Sequence, residues 1–219
     1  MEAAKTRVLK IIKVLSKEYP RAKTALNFKT PLDMVVSTIL SAQSTDKTIN
    51  KITGQLFKKY RTAKDYAGAD RATFEREIKS SGFFRNKAKS IIGMAKMLVL
   101  DFNGKVPDTM EELLKLPGVA RKTANVVLHN AFGKNEGIAV DTHVIRLSQR
   151  LGLSKFDKPE KIEQDLMAIV PKNNWGKFTY IIIDHGRKIC QAKKPLCPDC
   201  VISKLCPSKG HFMKKFYSK

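Results

Sequence analysis

Glu111–Leu147, EELLKLPGVARKTANVVLHNAFGKNEGIAVDTHVIRL, is the stretch on which the reading of this chain turns. Asp108 with Glu111, or Thr109 with Glu112, forms a capping-box pair at the start of a short helix that reaches about Lys115. Pro117 and Gly118 end it. A second helix begins near Arg121 and runs to Phe132, with Ala124, Val127, Leu128 and Ala131 on one apolar face and Gly133 as its C-terminal stop. The pattern is helix, tight hairpin, helix. Backbone N–H groups around Gly118 and Ala120 lack intrahelical acceptors there and sit at the positive end of the second helix, where an anion such as phosphate fits. Lys122 lies in the first turn of that helix, where the dipole and Arg121 both oppose a further positive charge. Its amine is a candidate nucleophile as readily as a phosphate partner. Asp141, in A-V-D-T-H, is on its own an N-cap for a helix carrying Val144, Ile145, Leu147 and Leu151.

Outward from this stretch, apolar residues recur at helical spacing almost everywhere. Val8, Ile11, Ile12 and Leu15 mark a first helix closed by Pro20; Thr30 and Pro31 open a deeply buried one through Leu40; Ile49, Ile52, Leu56 and Phe57 mark a third. Phe74 and Ile78 belong to a short helix ended by S-S-G, and F-F-R-N-K starts a long one to Phe102. Two more follow, from Pro159 to Pro171 and from Trp175 to Ile189, with His185 expected as a half-buried, internally satisfied histidine. No segment alternates, so the fold is expected to be all-α, with only the tail CPSKGHFMKKFYSK loosely ordered. Gln43, in the polar loop S-A-Q-S-T-D, reads as a solvated turn residue. Phe83, beside a second aromatic at a helix start, reads as core.

The balance of charge narrows the partner. Lys and Arg number 42 against 20 Asp and Glu, a formal +22 spread along 219 residues. Such a surplus repels itself in a compact chain unless a polyanion offsets it, which points to nucleic acid. No apolar run approaches the roughly 20 residues that span a bilayer. The N-terminal MEAAKTRVLKIIKVL is amphipathic and lysine-bearing rather than a secretory signal. A cytoplasmic, nucleoid-associated monomer without membrane contact is expected.

Cys190, Cys197, Cys200 and Cys206 fall within 17 residues, separated by six, two and five others, with Pro195, Pro198 and Pro207 stiffening the segment. Four sulfurs gathered in this way suit metal ligation rather than a disulfide framework, as zinc or as an iron–sulfur cluster. Structural zinc favours two short pairs across a longer span, and the wider gaps here lean toward a cluster. Arg187, Lys193 and Lys194 share the segment, so the metal would fold a loop that presents cations to phosphate.

Taken together, L-P-G-V-A-R-K-T-A-N-V-V, the downstream A-F-G and A-V-D-T-H-V-I-R, the upstream L-S-A-Q-S-T-D and the C-x6-C-x2-C-x5-C tail resemble the endonuclease III family of helix-hairpin-helix DNA glycosylases over nearly the whole chain. The resemblance implies a six-helix barrel domain over residues 25–136, and an iron–sulfur cluster domain from residues 1–24 and 137–219 around a 4Fe-4S cluster held by the four cysteines. It implies a bifunctional DNA glycosylase and abasic-site lyase of base excision repair. The substrate would be double-stranded DNA carrying a damaged base, an oxidised pyrimidine by family, or an abasic site. By motif match Lys122 is the Schiff-base lysine and Asp141 the catalytic aspartate. Gln43 fills the space left by a flipped base, and Phe83 falls near the wedge position. Gly118, Ala120 and Arg121 of the hairpin, with Arg187, Lys193 and Lys194, would meet DNA phosphates. One departure is that the hairpin reads G-V-A where the family usually has G-V-G, which would strain Ala120 if that position needs a positive φ.

Two other classes fit parts of the pattern. A monofunctional mismatch glycosylase would carry a non-nucleophilic residue in place of Lys122. A non-catalytic DNA-binding module would keep the hairpin and cysteines but have no need of Asp141.

Overall fold

Residues 2–218 are described in the structure, a computed structural model, and every regular element among them is helical. Met1 and Lys219, the ends of the amphipathic N-terminus and of the tail, lie outside them. The all-α expectation holds. No helix among the described residues is long and apolar enough to cross a membrane. The chain divides into two compact units, Thr24–Glu136 and Met1–Lys23 with Gly137–Lys219.

The chain enters through α1 (Glu2–Glu18), which belongs to the discontinuous unit. The continuous unit then contains α2 (Pro31–Ser41), α3 (Asp46–Lys59), α4 (Ala63–Ala67), α5 (Arg71–Glu77), α6 (Phe84–Asp101), α7 (Met110–Leu113) and α8 (Arg121–Phe132). Its centre is α2, buried over Leu32–Ser37 and at Ile39 and Leu40, and packed on α3, α6 and α8. Pro at the first helical position and a reciprocal box start this helix: Thr30 Oγ1 accepts from Asp33 N at 3.1 Å while Asp33 Oδ2 accepts from Thr30 N at 3.0 Å. Around it Met34, Leu40, Ile49, Phe74, Ile91, Met94, Leu98, Val127 and Leu128 close one core.

The short α4 has no counterpart in the sequence reading, because five residues hold too little periodicity to register. A second box makes it: Thr62 and Asp65 exchange the same pair of bonds, and Asp65 Oδ2 also accepts from Arg61 N at 2.8 Å. Those backbone donors hold the Asp65 carboxyl below the usual carboxylate range. Its Tyr66 is fully buried, stacked on Tyr60 at 5.0 Å and edge-on to Phe74 at 5.9 Å.

The discontinuous unit gathers α1 with α9 (Thr142–Arg150), α10 (Pro159–Ile169), α11 (Trp175–Lys188) and α12 (Lys209–Tyr217). Val8, Ile11 and Leu15 of α1 complete a core built from Val144, Leu147, Ile162, Leu166, Phe178 and Ile181. The tail is a correction: its residues 209–217 form α12 instead of a loose end. Phe212 and Phe216 stack at 6.3 Å, Tyr217 Oη donates to Pro195 O at 3.0 Å, and the Arg150 guanidinium lies 4.6 Å from the Phe212 ring. Docked aromatics order a segment whose charged composition suggested none.

Helices α9 and α11 pack closely because position 186 is glycine. A Cβ there would lie 2.8 Å from His143 Nδ1 and 3.0 Å from Arg146 Nη2. Gly186→Ala should therefore destabilise the fold by about 1–3 kcal/mol, as overpacking does, read from the urea unfolding midpoint.

Candidate active site

The hairpin has the form its sequence suggests. Thr109, not Asp108, caps α7, its Oγ1 accepting from Glu112 N at 3.3 Å. Asp108 instead receives Lys134 Nζ at 2.6 Å. The first helix is shorter than expected, ending at Leu113 with Leu114 as cap. Gly118 takes φ +81, and Val119 N closes the turn on Leu116 O at 3.1 Å. Ala120 has φ −88 and ψ 169, ordinary extended backbone, so the G-V-A departure carries no strain. Only Gly118 needs to be glycine. Helix α8 starts at Arg121 without a side-chain cap on Ala120, and its first backbone bond comes from Ala124 N to Ala120 O. At the other end Gly133, φ +67, and Lys134 N on Leu128 O form the C-terminal stop.

Lys122 is exposed in the first turn of α8, next to exposed Arg121. Gly118, four residues before it, and Thr123, the residue after it, line a cavity together with Gln43 and Phe83, and Thr38, Ile39, Ala42, Asn86, Lys87 and Ser90 complete its walls; Lys122 itself is not among the lining residues. Gln43 is exposed in the turn after α2, where composition put it, but Phe83 is not the core residue that composition suggested. Phe83 is 64% exposed and contributes nothing to the core. Both adopt left-handed backbone, Gln43 at φ 54 and Phe83 at φ 48, a conformation unfavourable for residues with a Cβ and concentrated at functional sites. Gln43 is thus a fixed residue of the turn between α2 and α3.

Lys87 is the residue sequence reasoning missed. It is 5% exposed, and Nζ donates to Leu40 O and to Ser81 O, each at 2.7 Å. Burial away from water holds its amine below the usual lysine range. The available signal was its register: Lys87 precedes buried Ile91 and Met94 by four and seven residues, on the apolar stripe of α6.

Asp141 belongs to the discontinuous unit and caps α9, with Oδ1 accepting from Val144 N at 2.8 Å. In the same unit the four cysteines, all half-buried and unpaired, line one cavity with Leu147, Arg150, His185 and Phe212. Among the described residues no three His, Cys, Asp or Glu side chains converge as ligands of a single metal ion. Arg146 and Arg150 secure the loop by donating to Cys190 O, and Arg150 Nη1 also reaches Cys190 Sγ at 3.3 Å and Gln191 O at 2.8 Å. Burial pushes the Cys200 thiol up to about 11 and raises Cys197 and Cys206, each raised further by its neighbouring sulfurs. His185 is fully buried rather than half-buried, its Nδ1 3.1 Å from Tyr19 Oη and its Nε2 3.5 Å from Cys200 Sγ; burial lowers it to about 4. Arg187, Lys193 and Lys194 are exposed near this loop, with Lys194 Nζ 5.1 Å from the Tyr217 ring.

A helix start without a side-chain cap behind a glycine hairpin, flanked by an exposed lysine, defines a helix-hairpin-helix protein. Residues 36–172 match the model of the HhH-GPD superfamily base excision DNA repair proteins. The chain is 53% identical over 208 residues to endonuclease III of Synechocystis sp., covering 95% of each, and 44% identical over 189 residues to that of Bacillus subtilis, covering 86% of each. Its fold matches a solved structure of a trapped endonuclease III–DNA covalent intermediate, an estranged-adenine complex, with a TM-score of 0.90 and 41% identity over 95% of this chain and 98% of that one. The chain belongs to the endonuclease III family of the HhH-GPD superfamily.

The hairpin meets α6 most closely at Ser90. A Cβ at Gly118 would lie 2.6 Å from Ser90 Cβ and would also sit at positive φ. Gly118→Ala should cost about 2–4 kcal/mol from the two penalties together, and Ala120→Gly well under 1 kcal/mol, in thermal or urea unfolding of the two variants.

Proposed function

We propose that this protein is a bifunctional DNA glycosylase and abasic-site lyase of base excision repair. It would remove damaged, oxidised pyrimidines from duplex DNA and cut the strand 3′ to the abasic site. One observation carries the reading: Gly118 of the hairpin and Thr123, the residue after Lys122, share a cavity with two exposed left-handed residues, Gln43 and Phe83. Chemistry on a base requires taking it out of the stack, and a rigid aromatic with an amide beside it can occupy the gap. The open amides at Gly118 and Ala120, with Arg121, hold a backbone phosphate and so fix the position of Lys122. Arg187, Lys193 and Lys194 supply further phosphate contacts.

Lys122 Nζ, as neutral amine, attacks C1′ of the sugar. The new N–C bond forms as the glycosidic C–N bond breaks, and the base departs with that electron pair and a proton. Asp141, as carboxylate, stabilises the positive charge developing at the sugar. Ring opening yields an imine between Lys122 and C1′, which acidifies the C2′ proton; its loss expels the 3′ phosphate, and water then releases the lysine. A covalent protein–DNA state is inherent in this scheme, and the solved endonuclease III–DNA structure is described as one. We assign residues 25–136 as the six-helix barrel domain and residues 1–24 with 137–219 as the cluster domain of a protein acting at the chromosome.

The four cysteines we assign to a 4Fe-4S cluster. They fit it because all four cysteines line one cavity, with Cys190 held there by Arg146 and Arg150, and four cysteine thiolates are the donor set of such a cluster. When bound, such a cluster cross-links the 190–206 loop and drives off the thiol protons that burial favours. Purified protein should contain iron and sulfide, and zinc without iron would overturn this assignment.

Borohydride trapping on abasic DNA tests the nucleophile. Lys122→Gln should abolish the trapped adduct while retaining binding, and an adduct persisting through another amine would refute the role. Asp141→Asn, which can still cap α9, should keep fold and binding while turnover falls about 10²–10³-fold, as loss of preorganised charge stabilisation does.

A further inference from the structure

Gln43 and Phe83 lie on separate turns, 40 residues apart in the chain, yet a single nitrogen is bonded to the backbone just ahead of each. Lys87 Nζ takes Leu40 O, three residues before Gln43, and Ser81 O, two residues before Phe83, each at 2.7 Å. Leu40 O is one of the last carbonyls of α2, which an α-helix leaves without an intrahelical donor. Ser81 ends a 3-10 turn whose next two residues, Gly82 at φ +70 and Phe83 at φ 48, are both left-handed. Unfavourable backbone of this kind persists only where its surroundings over-determine it. A lysine can supply that constraint, because three donors on one atom, at the end of a stem long enough to arrive from α6, satisfy carbonyls from two directions. Burying an ammonium that meets only backbone carbonyls is costly, and an apolar residue would fill the stripe with Ile91 and Met94 at less cost. What the lysine adds is the link between the turns.

We propose that Lys87 is a positioning residue for duplex opening, whose amine holds the Gln43 and Phe83 turns in their left-handed conformations and at a fixed separation. This rests on the reading above that those two residues occupy the gap left by an extruded base. Lys87 acts through them.

The test compares two substrates of the full-length protein: a lesion paired in a duplex, which must be opened, and an abasic site in a single strand, which need not be. Lys87→Met should lose about 10²-fold on the duplex, the scale of an ångström-level misplacement, while borohydride trapping on the single strand changes less than about twofold. Adding Lys87→Met to Gln43→Ala/Phe83→Ala should cause no further duplex loss, because the residues it positions are already gone. Equal losses on both substrates would reduce Lys87 to a support of the fold, and full additivity with the double variant would mean that it acts elsewhere. Either result overturns the proposal. If Gln43→Ala/Phe83→Ala itself shows no duplex-specific loss, the reading of those two residues fails and takes this one with it. If the double variant shows that loss and Lys87→Met does not, only the positioning role fails. Should Lys87→Met not fold, Lys87→Gln, which can still donate to one of the carbonyls, is expected to show a smaller loss confined to the duplex; a loss equal on both substrates would again overturn the role.

Discussion

One close approach, between Gly118 and Ser90, governs the geometry of the continuous unit. There is no room at position 118 for a single carbon, and the backbone turns through φ +81 just where it touches α6. Small residues on α6 receive the hairpin at successive turns, since Gly93 faces Pro117 in the same way, its absent Cβ site 3.6 Å from the Pro117 ring. Because the turn is pinned there, α8 begins at a defined point, Arg121. Lys122 inherits its place from that start. The place of this side chain is thus set by contacts four and five residues earlier, made by groups with no chemistry of their own.

The surface of this cavity is less relaxed than its walls. Behind it lie Ile39, Ala88, Ile91 and Met94, ordinary buried residues at helical spacing. At its rim stand Gln43 and Phe83, each in a backbone region that favours glycine or asparagine. An aromatic left 64% exposed forgoes the burial that a core position would give it. Strain and exposure at one rim, over a core that shows neither, are how a fold keeps a shape ready for a partner that is not yet there.

Legibility followed the range of the interactions. Helix, hairpin and helix over 111–132 could be read because capping, periodicity and the C-terminal glycine all act within a few residues. The gathering of the four cysteines around one cavity could be read because they are close in sequence. Phe83 could not be placed from its neighbours, since two adjacent aromatics look alike until the positive φ turns one of them outward and leaves Phe84 to pack. Lys87 stayed hidden because one lysine on an apolar stripe signals nothing until the carbonyls of Leu40 and Ser81 are found around it. Helix α12 escaped for a similar reason: its order comes from Arg150, Pro195 and Lys194, all distant in sequence from at least part of it. Ala120 illustrates the opposite case. A substitution that looked costly in the motif is harmless, because the turn asks for left-handed backbone at Gly118 alone.

The discontinuous unit imposes an order on biosynthesis. Helix α1 leaves the ribosome first, but Val144, Leu147, Phe178 and Ile181, against which Val8, Ile11 and Leu15 pack, are encoded more than 120 residues later. At about 5–20 residues per second the apolar face of α1 waits on the order of ten seconds for its partners, while Thr24–Glu136 already has all of its own core in hand. The lysines interspersed along α1, at positions 5, 10, 13 and 17, give the nascent segment a charge that opposes self-association over that interval. A sequence feature that looks like part of the basic surface of the finished protein thus also serves the unfinished one.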